Sequence, residues 1–121
     1  MTPSPAPQDF LPVTPVSFEI LLSLTGGERH GYAIMRDIEE RTGGAKSLHA
    51  GTLYRALARL VDTGLLEELD EDVVDDEGDE RRRYYALTAL GREVAVAEAR
   101  RLESQVGAAR LQGLLGGAGG S

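Results

Sequence analysis

A mainly α fold with a small β-hairpin is what this sequence predicts, and three observations carry that expectation. Residues 51–66, GTLYRALARLVDTGLL, read as an amphipathic helix closed by a glycine and followed by an apolar strand. Residues 81–88, RRRYYALT, have the aromatic and branched character of a returning strand, with an acidic loop before them. From Thr88 onward, alanine, glutamate and arginine dominate a long stretch of strong helix formers. This order describes a winged helix-turn-helix extended by a long C-terminal helix.

The elements follow in chain order. Residues 1–14 hold Pro3, Pro5, Pro7 and Pro12 and are expected to form a flexible N-terminal arm. The winged-helix domain is assigned to residues 15–88. Pro15 suits the first turn of a helix running to about Leu24, with Phe18, Ile20, Leu21 and Leu22 as apolar contacts. A second helix begins at His30 or Gly31 and ends at Thr42, with Tyr32, Ala33, Met35 and Ile38 expected to face inward. Lys46, Ser47, Leu48 and His49 form the next turn, where Ser47 or His49 is placed to cap the third helix. In that helix Leu53, Leu57 and Leu60 make one stripe at i, i+4 and i+7, while Thr52, Arg55, Arg59 and Asp62 lie opposite. Gly64 supplies the left-handed residue that closes it. Strands over 65–69 and 83–87 flank a polar loop containing Gly78. Thr88 caps the last helix, assigned to residues 89–112, and a glycine-rich tail over 113–121 completes the chain.

The last helix repeats Ala95, Ala99, Leu102, Val106 and Ala109 at 4-3-4-3 spacing, a heptad seam. Such a stripe either folds back on its own domain or meets a second copy of the chain. A small domain offers little surface to so long a helix, so these five residues are the expected dimer interface. Arg55 and Arg59 lie one turn apart and point the same way, suited to base edges or phosphates. Arg81, Arg82 and Arg83 stand where the loop re-enters the second strand. They are read either as phosphate or minor-groove contacts or as counter-charges to the neighbouring acids.

Taken together, these motifs resemble the PadR family of bacterial transcriptional regulators. The resemblance covers roughly residues 16–99 and rests on ILLSL (20–24), HGYAIMRDIEERTGG (30–44), GTLYRALARLVDTGLL (51–66) and RRRYYALTALGRE (81–93), in that order and spacing. The family typically carries a proline after the GTLY tyrosine, where this chain has Arg55, and often one before the glycine, where it has Ala50. The resemblance implies a homodimer on double-stranded DNA, repression by occupying a promoter, and a C-terminal helix that dimerises. The expected DNA contacts are Lys46, Ser47, Thr52, Tyr54, Arg55, Arg59, Arg81, Arg82 and Arg83. Family members often respond to small aromatic molecules. With no Trp and six aromatic residues in all, a stacking pocket of that kind is not expected here, and any effector is unidentified.

Composition agrees with a small regulator and brings one complication. The chain has 121 residues, enough for one domain, and no cysteine for a disulfide framework. Its N-terminus lacks the pattern of a signal peptide and no run is long enough to span a membrane, so a cytoplasmic location is expected. The net charge is −7, unusual for a DNA-binding domain. However, residues 67–80 hold ten of the twenty acids and no base; the remainder carries ten acids against thirteen Lys and Arg. A basic face with an acidic flap follows, since binding depends on the local field. A calcium loop around Gly78 would put Val73 and Tyr84 at its first and last ligand positions, so no metal is expected. Two histidines, no cysteine and no phosphate-binding glycine motif give catalysis no support, and no cofactor is expected. The rival reading is a winged-helix protein-interaction module whose acidic wing binds a basic partner.

Overall fold

The computed structural model describes residues 5–44, 49–71 and 82–116, with only the backbone at 70, 71 and 82. Four α-helices and a three-stranded antiparallel sheet make up the order α1 (Pro15–Ser23), β1 (Arg29–His30), α2 (Gly31–Arg41), α3 (Ala50–Asp62), β2 (Leu66–Glu71), β3 (Arg82–Leu87) and α4 (Ala89–Leu111). The sheet order is β1-β3-β2. Strand β1, two residues paired Arg29 to Tyr85 and His30 to Tyr84, was not foreseen. It is too short to show an alternating pattern, and it forms because β3 offers a free edge.

Three of the four helix starts are capped by side chains. Thr14 accepts the Ser17 N–H in front of Pro15, His30 accepts the Ala33 N–H through Nδ1 at 3.2 Å, and Thr88 accepts the Gly91 N–H at 2.9 Å. His49 stands before α3 as expected, but its side chain makes no capping bond. Ser47, the alternative cap, lies outside the described residues.

The core gathers Ile20, Leu21 and Leu24 of α1, Ile34 and Ile38 of α2, the Leu53, Leu57 and Leu60 stripe of α3, Leu65, Leu66, Tyr85, and Val94 and Ala95 of α4. On α2 the inward positions are Gly31, Ile34 and Ile38, a 3.6-residue stripe that leaves Tyr32, one residue off it, 57% exposed. Ile38 is buried as expected and Met35 packs against the core, whereas the inward placement expected of Tyr32 is corrected. Residues ahead of α1 also differ from expectation. A 3-10 turn at Pro7–Phe10 packs against α4, and Phe10, Leu11 and Val13 lie partly buried on the core. Apolar side chains between the prolines fasten this segment, which the proline content alone had marked as a flexible arm.

Helices α1 and α2 are also joined by a polar cluster. Arg41 reaches Glu19 at 2.7 Å and pairs with Asp37, while Arg29 donates to the Ser23 carbonyl at 2.8 Å. Burial raises the Asp37 pKa, but the Ser23 hydrogen bond and the Arg41 and Arg29 charges more than offset it and hold the carboxyl below its ordinary value.

Candidate nucleic-acid interface

Helix α3 separates its two sides as its spacing requires. Leu53, Leu57 and Leu60 are buried, whereas Gly51, Tyr54, Arg55, Ala58, Arg59 and Asp62 are exposed and Thr52 is half-buried. Among the described residues neither Arg55 nor Arg59 forms an ion pair. Their side chains, with Thr52 and Ala56, line a shallow groove of about 200 Å³ whose other wall is Thr14, Val16 and Ser17 at the start of α1. The positive end of the α1 dipole therefore lies beside two guanidinium groups, an arrangement that favours an anion such as a backbone phosphate.

The hairpin supports a different balance of charge. Its register pairs Glu68 with Tyr85, Asp70 with Arg83 and Glu71 with Arg82. Arg83 Nε lies 3.3 Å from Glu68 Oε1. The strand positions of the arginine run thus stand opposite acids, and Arg83 is already ion-paired across the sheet. Arg81, Lys46 and Ser47 lie outside the described residues, as does the side chain of Arg82 and the turn around Gly78.

The frame that holds α3 gives Thr88 a second task beside the cap expected of it. After α3, Gly64 adopts φ +85° and Leu65 N–H closes on the Leu60 carbonyl. Thr88 Oγ1 then donates to the Gly64 carbonyl at 2.6 Å, and Thr88 N–H bonds the Leu65 carbonyl at 3.1 Å. One threonine thus fastens the end of α3 to the start of α4. Tyr85, between them on β3, is buried; burial pushes its hydroxyl pKa up, and Glu68 and Tyr54 add to the shift. Tyr54 itself stands against Gly31 rather than free in solvent.

Helix α4 divides into two parts. Gly91, Val94, Ala95 and Glu98 are buried within the chain, so Ala95 of the expected seam belongs to the domain's own core. Ala99 and Val106 are exposed, with Leu102 and Ala109 half-buried, and Val96, Leu111, Leu114 and Leu115 add further open apolar surface. Glu98 had no assigned role. Its carboxylate, 1% exposed, accepts both Nε and a terminal N–H of Arg101 at 2.7 Å each. Those bonds, opposed by burial and aided by the Val13 N–H, hold its pKa below the ordinary value. The signal was present in the sequence: Glu98 falls at i+3 from Ala95 and i−4 from Leu102, inside the stripe.

Comparison with known proteins decides what this framework is. The sequence profile of the transcriptional regulator PadR-like family matches residues 20–97. The chain belongs to the PadR-like family. This is a family of transcriptional regulators rather than enzymes. The H. salinarum RosR structure is 31% identical, with 80% of each chain covered and a TM-score of 0.64. Bacillus subtilis PadR in complex with operator DNA shares the fold at 24% identity and a TM-score of 0.62, over 71% of this chain and 47% of that one. An uncharacterized 37.1 kDa protein in a transposon of Streptomyces fradiae is 40% identical over 80 residues, 66% of this chain. The match spans only 21% of that protein. Among the described residues no helix is long and apolar enough to cross a membrane, and no cluster of three or more His, Asp or Glu could hold a metal ion.

Proposed function

We propose that this PadR-like regulator acts in the cytoplasm as a homodimeric repressor, placing two copies of α3 in successive major grooves of a pseudo-palindromic promoter site. The observation that carries the proposal is the outward face of α3, where Arg55 and Arg59 stand exposed with no ion pair among the described residues. Arginine is the residue best suited to guanine edges, and its guanidinium serves a flanking phosphate equally well. Thr52 and the start of α1 would fix the DNA backbone beside them. The operator complex of Bacillus subtilis PadR supports the same use of the shared fold.

Dimerisation is proposed through the outer part of α4. Leu102, Val106 and Ala109 continue the heptad beyond the domain core, and Val106 is 45% exposed in the single chain. A 23-residue helix is about 35 Å long, so its second half extends past the surface that one small domain offers.

The acidic interaction module remains the second reading, favoured by the Arg83–Glu68 pair and the opposed wing charges. One titration separates the two. Fluorescence anisotropy on the DNA upstream of the chain's own coding region, at several salt concentrations, should show tight binding. Affinity should fall with salt at a slope of about 0.9 per phosphate contact. Loss of that binding in Arg55→Glu/Arg59→Glu supports the repressor. Absence of binding by the wild-type dimer, even at low salt, would turn the assignment to the interaction module.

A further inference from the structure

Tyr54 occupies the outward half of α3, one residue before Arg55, and its ring does not simply extend into solvent. A Cβ built on Gly31 would lie 2.6 Å from Tyr54 Oη, 2.8 Å from Cε1 and 2.9 Å from Cζ. The phenol is therefore seated on the bare backbone of the first residue of α2. Gly31 is buried, although Tyr54 is 48% exposed. Gly31 is not among the glycines with positive φ, so its backbone conformation does not call for glycine. What excludes a side chain there is the tyrosine.

Gly31 follows directly on β1, whose Arg29 pairs with Tyr85 of β3. Three segments of the sequence, HGY, GTLY and YYALT, thus converge where α2, α3 and the sheet meet. Tyr54 closes that junction from the DNA-facing side.

We infer that Gly31 and Tyr54 are positioning residues: the ring resting on the glycine fixes the pitch of α3 against α2 and so aims Arg55 and Arg59. This rests on the DNA-binding reading above and replaces the direct DNA contact expected of Tyr54 from sequence. A side chain at Gly31 forces the ring to leave or the two helices to part. Removal of the ring leaves α3 free to tilt. The hydroxyl has no necessary part in either effect.

The test is a set of variants, Tyr54→Phe, Tyr54→Ala, Gly31→Ala and Gly31→Ala/Tyr54→Ala, titrated on the same promoter DNA at several salt concentrations and melted in parallel. Tyr54→Phe should bind within about twofold of wild type with an unchanged salt slope, as no phosphate contact is lost. Tyr54→Ala and Gly31→Ala should each lose about tenfold or more, the scale of one misplaced arginine contact. The double variant should bind and melt better than the sum of the two single losses predicts, because the clash needs both partners. An equal loss in Tyr54→Phe, with the slope smaller by about 0.9, would overturn the inference in favour of a direct phosphate contact. Simple additivity of the alanine variants would overturn it too. If the wild type binds no DNA, the DNA reading fails by itself, and non-additivity in the melts still decides whether ring and glycine are coupled.

Discussion

Replacing Gly91 by alanine sets two effects of opposite sign against each other. Gly91 lies in the first turn of α4, in ordinary helical conformation, so alanine should stabilise the helix by about 1 kcal/mol through propensity alone. Against this, a Cβ there would stand 2.0 Å from the Leu65 carbonyl oxygen and 2.9 Å from its carbon, both backbone atoms. Reaching even 3.0 Å requires about 1 Å of displacement between α4 and the start of β2. The Thr88 N–H bond to Leu65, now 3.1 Å, would break, and the 2.6 Å Thr88–Gly64 bond would stretch. Those losses amount to about 1–2 kcal/mol, and the strained packing adds about 1–3 kcal/mol. After the propensity gain, a net destabilisation of about 1–4 kcal/mol remains, which for a chain of this size lowers Tm by on the order of 10 °C. Circular dichroism melts at matched protein concentration measure it, since association shifts Tm. A Tm equal to or above wild type would refute the close approach. Gly107→Ala is the control: a Cβ there meets nothing within 4 Å, so propensity should act alone and raise stability slightly.

Other perturbations test the remaining parts of the account. Thr88→Val removes both the α4 cap and the tie to Gly64 and should cost about 1–2 kcal/mol in chemical denaturation. Glu98→Gln should lower Tm by a few degrees at pH 7. The Glu98 pKa is depressed in the folded chain, so its contribution is complete above the ordinary carboxylate value and fades as pH falls through the lowered one. The gap between wild type and variant should therefore close on acidification; a constant gap would refute the ion-pair role. Val106→Glu places a carboxylate in the proposed seam twice per dimer and should weaken association by about a hundredfold in sedimentation equilibrium, at 1.4 kcal/mol or more per buried group.

What was legible in the sequence was whatever depends on local periodicity. The Leu53, Leu57 and Leu60 stripe predicts both the burial of one side of α3 and the exposure of Arg55 and Arg59 on the other. Pro15, Thr88 and Gly64 mark helix ends through capping and backbone chemistry that act within a few residues. Contacts between distant segments were not legible. Strand β1 exists only because β3 lies beside it, and the Tyr54–Gly31 approach joins residues 23 positions apart with no shared period. The inward placement assigned to Tyr32 failed because an aromatic ring was taken as core. Its ring instead stacks beside His30 at 6.5 Å, with the Arg36 guanidinium 5.9 Å from its centroid. An amphipathic ring is stable at a surface when a cation covers its face.

The heptad on α4 runs through two different environments. A repeat of Ala95, Ala99, Leu102, Val106 and Ala109 reads as continuous, but the structure divides it near Glu98 and Arg101. Before that pair the stripe closes the chain's own core through Val94 and Ala95. Beyond it Val106 is exposed. The pair itself sits at the division, its carboxylate buried while the guanidinium side chain keeps 31% of its exposure. It also draws Val13 to the same point, so the segment ahead of α1 is anchored where the open half of α4 begins. A cleft of about 490 Å³ between Val13, Pro15, Phe18 and the Arg101–Leu102 turn continues this surface. In the proposed dimer the partner's helix would therefore meet both α4 and the segment before α1. Deleting residues 1–13 should then weaken association as well as fold stability, whereas Thr88→Val should weaken stability alone.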